Sequence, residues 1–394
     1  MRISKIDLKM SILLLPFILP DLSFINETMD EIVNLMKIIW AIGIIMLVIC
    51  NRRTINIISS LKELMFFLVF YCFTTLSNNN DNITVAFINS INIIMMVTIF
   101  CYESSIYGIH IFKVTRVLLE FLCLINLCTV ILIPKGFVET INSDGYYYFF
   151  GYDNSFVWWG ILLITFRLIE ECYCEKKINY KSYLVIFFII IFPMIIRNTA
   201  TGIIVISLYI LFVVFMKLNS RWNKYISTKL VWISILLSVG VVLFKLQYIF
   251  SWIITAVFKK SISLSGRYDI WEDSINKILE KPLFGHGAEV GTILTTSKWL
   301  SVNHCHNFIL NTIYMTGLVG LLVFLLFLLK SIRIIKKTDD KIFKIFIIAI
   351  SLMFVSLITE SQQNMLQILM LIELPIIIFN NRNKFSSIKE SSYE

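Results

Sequence analysis

The feature that most limits the fold of this chain is a series of apolar runs that recur along its 394 residues. A transmembrane helix needs about 20 apolar residues, and each run reaches or approaches that length. The runs fall at about 10–25, 32–50, 62–77, 83–101, 117–133, 154–171, 182–196, 202–217, 230–250, 307–329, 343–359 and 364–379. The sequence therefore predicts an all-α polytopic membrane protein with about twelve transmembrane helices.

The composition supports this class. With 58% hydrophobic residues and a mean hydropathy of +0.81, a soluble protein of this length could not keep its apolar surface from water. No small-residue cleavage site follows the first run, so we expect that run to remain as the first span. We expect residues 1–394 to form one integral membrane domain in contact with the lipid bilayer.

The distribution of positive charge predicts the orientation. If the N-terminus lies inside, 24 of the 35 Lys and Arg residues fall in inner segments and 8 in outer segments. Cytoplasmic loops collect Lys and Arg, so we predict that both termini are cytoplasmic. The net charge of +9 is then a property of the membrane topology, and we expect no nucleic-acid partner.

One outer segment, at about 251–306, is much longer than the others and keeps six of the eight outer positive charges. Outer loops usually contain few Lys and Arg residues, so their presence in this loop suggests an anionic ligand. Within this large outer loop, Ser265 can cap a helix that begins near Gly266 and stops before Pro282. Its apolar residues, from Ile270 to Leu279, recur along one stripe. The pattern predicts an amphipathic helix that lies on the membrane surface or on the bundle of spans.

The polar stretch from 265 to 320 holds three of the four histidines, His286, His304 and His306. The last two could bind a metal, but a structural zinc site needs four ligands and only His286 is near in sequence, so we predict no metal. A histidine can instead act as a general base, because its ordinary pKa lies near neutral pH. Plain packing of a loop histidine is the other interpretation.

Two arginines are candidates for binding the anion. Arg197 ends the seventh span on the predicted outer side, and together with Arg267 it could hold a pyrophosphate through two bidentate guanidinium groups. Arg197 could also simply reach the lipid headgroups. The segment 145–154 is rich in tyrosines, which could stack on sugar rings or lie at the membrane interface. Glu360, in the last outer turn, could contact a polar ligand, but no pattern marks it.

Several motifs occur in order through this region. They are Arg267-Tyr268-Asp269-Ile270-Trp271, Lys281-Pro282-Leu283-Phe284-Gly285-His286-Gly287, His306-Asn307 and Gly317-Leu318-Val319-Gly320. Over about 55 residues, their order and spacing resemble the signature of the O-antigen polymerase and O-antigen ligase family. The plan of about twelve spans with one large late outer loop is similar to the family over the whole chain.

The resemblance implies a metal-independent, inverting glycosyl transfer that uses glycan carried on undecaprenyl pyrophosphate and needs no cofactor. The reaction would take place on the outer face of the cytoplasmic (inner) membrane of a bacterium, with the active site in the loop 251–306. His306 would be the base, while Arg197 and Arg267 would hold the pyrophosphate. The residues expected to contact the substrate are His304, Asn307, Trp271, Tyr147, Tyr148 and Asn154. His304 has no counterpart in the family motif, so which histidine acts stays open.

Two kinds of enzyme in this family share these motifs and this arrangement of spans. A polymerase adds the growing chain to another lipid-linked repeat unit, whereas a ligase transfers finished chain to a different acceptor. We favour the polymerase, with a flippase and a chain-length regulator of the same pathway as possible partners. A transporter is a third interpretation, but it predicts buried midplane charges in repeated spans, and we find no internal repeat in the sequence.

Overall fold

The computed structural model describes residues 4–23, 25–78, 82–139, 146–174, 180–218, 226–246, 248, 267–288, 294–295, 301–302, 304–338, 340–360 and 365–382. Much of the large outer loop predicted at 251–306, including the predicted cap Ser265, lies outside these residues.

Each of the twelve apolar runs overlaps a helix. The helices are α1 (Lys5–Ile18), α2 (Glu27–Ile49), α3 (Arg52–Ser59), α4 (Lys62–Ser77), α5 (Ile83–Tyr107), α6 (His110–Leu132), α7 (Phe156–Cys174), α8 (Tyr180–Ile196), α9 (Ala200–Leu218), α10 (Lys229–Phe244), α11 (Arg267–Glu280), α12 (Phe308–Lys337), α13 (Lys341–Ser356) and α14 (Leu366–Asn380). Two of them, α3 and α11, lie outside the apolar runs.

Length and composition identify the helices that could cross a membrane. Within the described ranges, α2, α5, α6 and α12 are each long and apolar enough, and α3 with α4, bent by 69°, could form a fifth span. Shorter apolar helices occur in α8, α9, α10 and α14. These elements agree with an all-α membrane protein, whereas the number of twelve spans and the orientation stay predictions.

The chain also contains short strands that the helical pattern did not predict. Strands β1 (Val138–Glu139), β2 (Tyr146–Tyr148) and β3 (Gly151–Tyr152) form an antiparallel sheet in the order β1-β2-β3. A 3₁₀ turn, Asp153–Ser155, then leads into α7. A second pair, β4 (Leu294–Thr295) and β5 (Ser301–Val302), lies in the large outer loop. The described residues on the two sides of positions 140–145 are therefore joined by backbone pairing.

The centre of the bundle is formed by α13 and α14, whose residues are buried nearly all round. Helix α13 packs against α7, α9 and α10, while α14 packs against α5 and α12. A helix that is apolar on every side requires such an interior position. By contrast, α2 keeps many large apolar side chains exposed, as a helix facing lipid would. The short connection between α13 and α14 is thus held by the most buried part of the protein.

Helix α12 is broken at Gly317, where φ is +63°. Near the break, the carbonyls of Tyr314 and Met315 would normally accept from the amides four residues later. They accept instead from the amides of His286 (2.8 Å) and Gly287 (2.9 Å). The amides released by the break, those of Leu318 and Val319, donate to the carbonyls of Pro282 (2.8 Å) and Leu283 (3.2 Å).

The segment 282–287 is therefore inserted into α12 and restores the backbone hydrogen bonds that the break would otherwise leave unmade. Glycine is required because the two backbones approach closely. A Cβ atom on Gly285 would lie 2.6 Å from the amide nitrogen of Gly317, and one on Gly317 would overlap the carbonyl of Leu283. The segment also contacts α4, because the amide of Ala288 donates to Thr75 Oγ1 at 2.9 Å.

The predicted amphipathic helix is confirmed as α11. It begins at Arg267, ends at Glu280 before Pro282, and packs against α12 with Ile270, Trp271 and Ser274 buried. The stripe is shorter than predicted, because Leu279 is 68% exposed. The helix ends one residue later, at Glu280, before the insertion into α12.

We expect Gly317→Ala to lower the free energy of unfolding by about 1–3 kcal/mol, because alanine is strained at positive φ and its methyl group would meet the Leu283 carbonyl. The measurement is the thermal unfolding of the purified protein in detergent. Gly43→Ala is the matched control, since a Cβ atom there meets nothing within 4 Å and Gly43 lies inside α2. Equal melting temperatures for the two variants would contradict the role given to the break.

Candidate active site

Segments from five parts of the chain meet at one end of the bundle. They are the connection from β2 to the 3₁₀ turn, the turn after α8, the start of α11, the residues before α12, and the connection between α13 and α14. Contacts among their side chains link Asp153, Arg197, Arg267, His306 and Glu360. The sequence predicted all five segments on the outer side. Their common location at one end agrees with that arrangement, while the side that this end faces stays a prediction.

Glu360 lies at the centre of this cluster. Its Oε1 accepts hydrogen bonds from Arg267 Nη2 and from Asn154 Nδ2 (2.7 Å), and its Oε2 lies 3.3 Å from His306 Nδ1. Burial alone would raise the pKa of this carboxyl, but Arg267 and His306 hold the pKa well below its usual range. Glu360 is therefore an ionised carboxylate that ties an arginine, an asparagine and a histidine together.

Sequence reasoning did not single out Glu360, or Asp153, as site residues. Neither belongs to the motifs, and Glu360 is 54 positions after His306, so spacing gives no sign of the contact. A weak signal was present, because a carboxylate between two strongly apolar helices must be paired if it is buried and ionised. Gln362 and Gln363, which follow Glu360 in the predicted outer turn and could likewise contact a polar ligand, lie outside the described residues.

The backbone holds His306 in a left-handed conformation, with φ at +47°. Its carbonyl accepts from Trp271 Nε1 at 3.4 Å, and the next residue caps α12. A non-glycine residue with positive φ is costly, and such strain concentrates at functional sites. Because Glu360 is ionised and can only accept, we assign the imidazole proton to Nδ1. Nε2 of His306 is then left with a lone pair, as a general base requires.

His304 lies against the second histidine, with the two ring centroids 4.1 Å apart. Burial, together with the nearby His306, lowers the pKa of His304 to about 3, so this ring is neutral at physiological pH. Its Nδ1 is inaccessible to water and has no hydrogen-bond partner among the described residues. The structure therefore brings together the two histidines that the sequence left as alternatives, and gives the contact with Glu360 to His306.

Arg197 occupies the turn between α8 and α9, next to Asn198 with φ at +51°. Its Nε lies 3.5 Å from Asp153 Oδ2, and its guanidinium lies over the ring of Tyr146, 4.5 Å from the centroid. The Tyr148 ring is also close, at 5.6 Å. Burial raises the pKa of Asp153 to about 6, even though Arg197 opposes this shift.

The two arginines are joined through neighbouring residues. Arg197 pairs with Asp153, while the next residue, Asn154, donates to the same carboxylate oxygen of Glu360 that Arg267 contacts. The predicted association of Arg197 and Arg267 at one site thus has a structural basis. That they hold a pyrophosphate remains a prediction.

The other predicted substrate contacts take different positions. Asn307 is only 1% exposed: its Oδ1 accepts from the Leu310 amide, and its Nδ2 donates to Ser238 Oγ (3.0 Å) and to the Ile358 carbonyl (2.9 Å). Trp271 is likewise buried. Trp271 therefore contacts the backbone of His306, and Asn307 contacts the backbone two residues before Glu360. A contact of either side chain with substrate stays a prediction.

Among the predicted tyrosines, Tyr148 is fully buried and its hydroxyl donates to the carbonyl of Pro134 at 2.7 Å. Tyr147 is partly exposed and packs edge-on against Tyr152, with centroids 5.7 Å apart. Of the two, Tyr147 is the one still able to contact a ligand.

His286 is not among the residues of the cluster. It stacks on Tyr314, and its Nε2 is 2.8 Å from the carbonyl of Lys277.

Residues 185–325 match the family model described as O-antigen ligase. No curated protein and no solved structure matches the chain. The matched part contains Arg197, Arg267, His304 and His306, while Asn154 and Glu360 lie on either side of it. Residues 185–325 are thus similar to the O-antigen ligase family, and the resemblance of the chain to the O-antigen polymerase and O-antigen ligase family is confirmed.

Proposed function

We propose that this protein polymerises the repeat units of a surface polysaccharide, such as a capsule or O-antigen, on the outer face of the cytoplasmic membrane. The donor is glycan linked to undecaprenyl pyrophosphate, and the acceptor is a hydroxyl of another lipid-linked repeat unit. The observation that carries the proposal is the contact of His306 with a buried, ionised Glu360 inside a cluster that also holds two arginines. The family match supports a glycosyl-transferring enzyme in general.

The contact with Glu360 suits His306 to the role of base. The acceptor hydroxyl would attack the anomeric carbon as its proton moves to Nε2 of His306, and the bond from that carbon to the pyrophosphate oxygen would break. Attack from the face opposite the leaving group inverts the anomeric carbon. The imidazolium formed in this step would be stabilised by the carboxylate beside Nδ1, at 3.3 Å.

The arginines suit the departing pyrophosphate. A guanidinium has five donors in a planar arrangement, so Arg267 can hold a phosphate while it keeps its contact with Glu360. Arg197 is oriented by Asp153 and by the Tyr146 ring. Positive charge that is already in place where negative charge develops lowers the barrier, because little reorganisation is needed during the reaction.

A ligase is the second candidate, because the family match does not separate the two activities. The composition favours the polymerase: the chain is rich in Ile, Asn and Lys and has only six alanines, a bias typical of AT-rich genomes. Many organisms with such genomes make capsules and have no lipid A core, which is the acceptor of an O-antigen ligase.

Cells that lack this protein distinguish the candidate functions. If the protein is a polymerase, we expect single lipid-linked repeat units to accumulate on the outer face, because the units are made and exported but not joined. The measurement is the chain length of lipid-linked glycan, together with its accessibility to an external label. Long chains left on the lipid carrier would indicate the ligase, and units held on the cytoplasmic face would indicate a transporter.

We expect His306→Ala and Arg267→Ala each to abolish polymer while the protein stays inserted in the membrane, since one removes the base and the other a contact to the leaving group. Polymer is measured by gel electrophoresis of surface glycan in a complemented deletion strain. His110→Ala and Arg382→Ala are matched controls, because both residues lie at the opposite end of the bundle. Normal polymer from the His306→Ala strain would refute its role as the base.

Glu360→Gln tests how His306 is oriented. The amide keeps the size of the side chain but removes the charge that stabilises a protonated His306, so we expect the rate of polymer formation to fall by about 10²-fold or more. Arg267 also loses its buried ion pair. We therefore compare Glu360→Gln with Glu360→Asp, which keeps the charge. Partial activity with Asp and near-complete loss with Gln is the expected order, and equal rates would contradict it.

A further inference from the structure

We propose that His304, His306 and Glu360 form a binding site for one transition-metal ion such as Zn²⁺, and that metal bound there inhibits the enzyme. The inhibitory part rests on the function proposed above for His306. The binding part rests only on the arrangement of the three side chains.

The distances fit one ion. One ligand atom from each of the three side chains lies within 4.8 Å of the other two. Zinc binds imidazole nitrogen and carboxylate oxygen at about 2.0–2.2 Å, so two ligands of the same ion lie at most about 4.4 Å apart. His306 Nδ1 and Glu360 Oε2 are already 3.3 Å apart. In tetrahedral coordination the separation is about 3.3–3.6 Å, so the ligand atom of His304 would have to move by up to about 1.5 Å to complete the triangle.

The carboxylate is already held in the orientation that a metal ligand needs. Oε1 of Glu360 is occupied by Arg267 and Asn154, whereas Oε2 faces the histidine side of the cluster. Carboxylates that ligate metals are commonly fixed by hydrogen bonds to their other oxygen. Arg267 can therefore stay in place when a cation binds to Oε2.

The donor set selects the class of metal. Two imidazoles and one glutamate form the same set as in several zinc enzymes, in which water completes the coordination. Mg²⁺ and Ca²⁺ prefer oxygen ligands and fit this set poorly. His304 supplies a further argument, because its inaccessible Nδ1 has no partner among the described residues and a buried polar atom is seldom left so. His286, the other ligand considered from the sequence, is not in this group, and the third ligand is Glu360.

Metal at this site would inactivate the base. In the active tautomer, the proton is on Nδ1 of His306 and the lone pair is on Nε2. Coordination through Nδ1 moves the ring proton to Nε2, with solvent carrying it, and no net proton is released by that ring. Nε2 then becomes a donor and can no longer accept the proton of an acceptor hydroxyl.

Binding is tested on the purified full-length protein in detergent, with Co²⁺ as a spectroscopic substitute for Zn²⁺. We expect visible d–d absorption that saturates at one Co²⁺ per chain and is displaced by Zn²⁺ but not by Mg²⁺. His304→Ala and Glu360→Gln should each weaken Co²⁺ binding at least tenfold, and His110→Ala should leave it unchanged. If His304→Ala does not give a monodisperse protein, His304→Gln replaces it. The site is refuted if the wild type shows no saturable band, or if the His304 variant binds as the wild type does.

Inhibition is tested on polymer formation in membranes that contain the wild-type protein. Saturating Zn²⁺ should reduce the rate at least tenfold, and a chelator should restore it. Unchanged rates at a Zn²⁺ concentration that displaces all Co²⁺ would refute the inhibitory role. A failure of the proposed function would appear differently, as the absence of polymer with and without metal, and the Co²⁺ titration would still decide whether the site exists.

Discussion

The buried negative charge of Glu360 is the constraint on which the candidate site depends. A carboxylate removed from water must be paired, because an isolated buried charge costs several kcal/mol. Here the compensation comes from Arg267, Asn154 and His306, which belong to three separate parts of the chain. Glu360 itself is held between α13 and α14, the most buried helices. One anion fixed by the core thereby determines where the catalytic candidates lie.

A second constraint acts through the backbone. The break in α12 and the insertion of residues 282–287 supply each other with hydrogen bonds, so neither could form alone without leaving backbone groups unpaired. The insertion directly follows α11, which begins with Arg267, and α12 directly follows His306. The backbone hydrogen bonds between residues 282–287 and α12 therefore set the position of α11 relative to the start of α12. It also gives a physical reason why the motif around Gly285 and the motif around Gly317 occur together in one chain.

The sequence predicted well what depends on local pattern. Apolar runs gave the helices, and the periodicity of residues after 266 gave α11, since both follow from burial along one element. Arg197, Arg267 and the two histidines were singled out because cations and titratable groups are conspicuous in an apolar chain. The structure brings them into one cluster, while their roles stay predictions. Tertiary contacts could not be predicted in this way. Local sequence did not show that Asn307 caps α12, or that Glu360 and Asp153 pair with the two arginines.

The two carboxylates of the site are not equivalent, and their difference determines the charge offered to a ligand. The pKa of Glu360 is held low, so it stays ionised, whereas the pKa of Asp153 is raised to about 6. With both carboxylates ionised they balance Arg197 and Arg267, and protonation of Asp153 leaves one positive charge in excess. An anionic group placed near Arg197 would raise the pKa of Asp153 further, because like charges disfavour ionisation. The net charge of the cluster is therefore controlled at Asp153, while Glu360 keeps its contacts with His306 and Arg267.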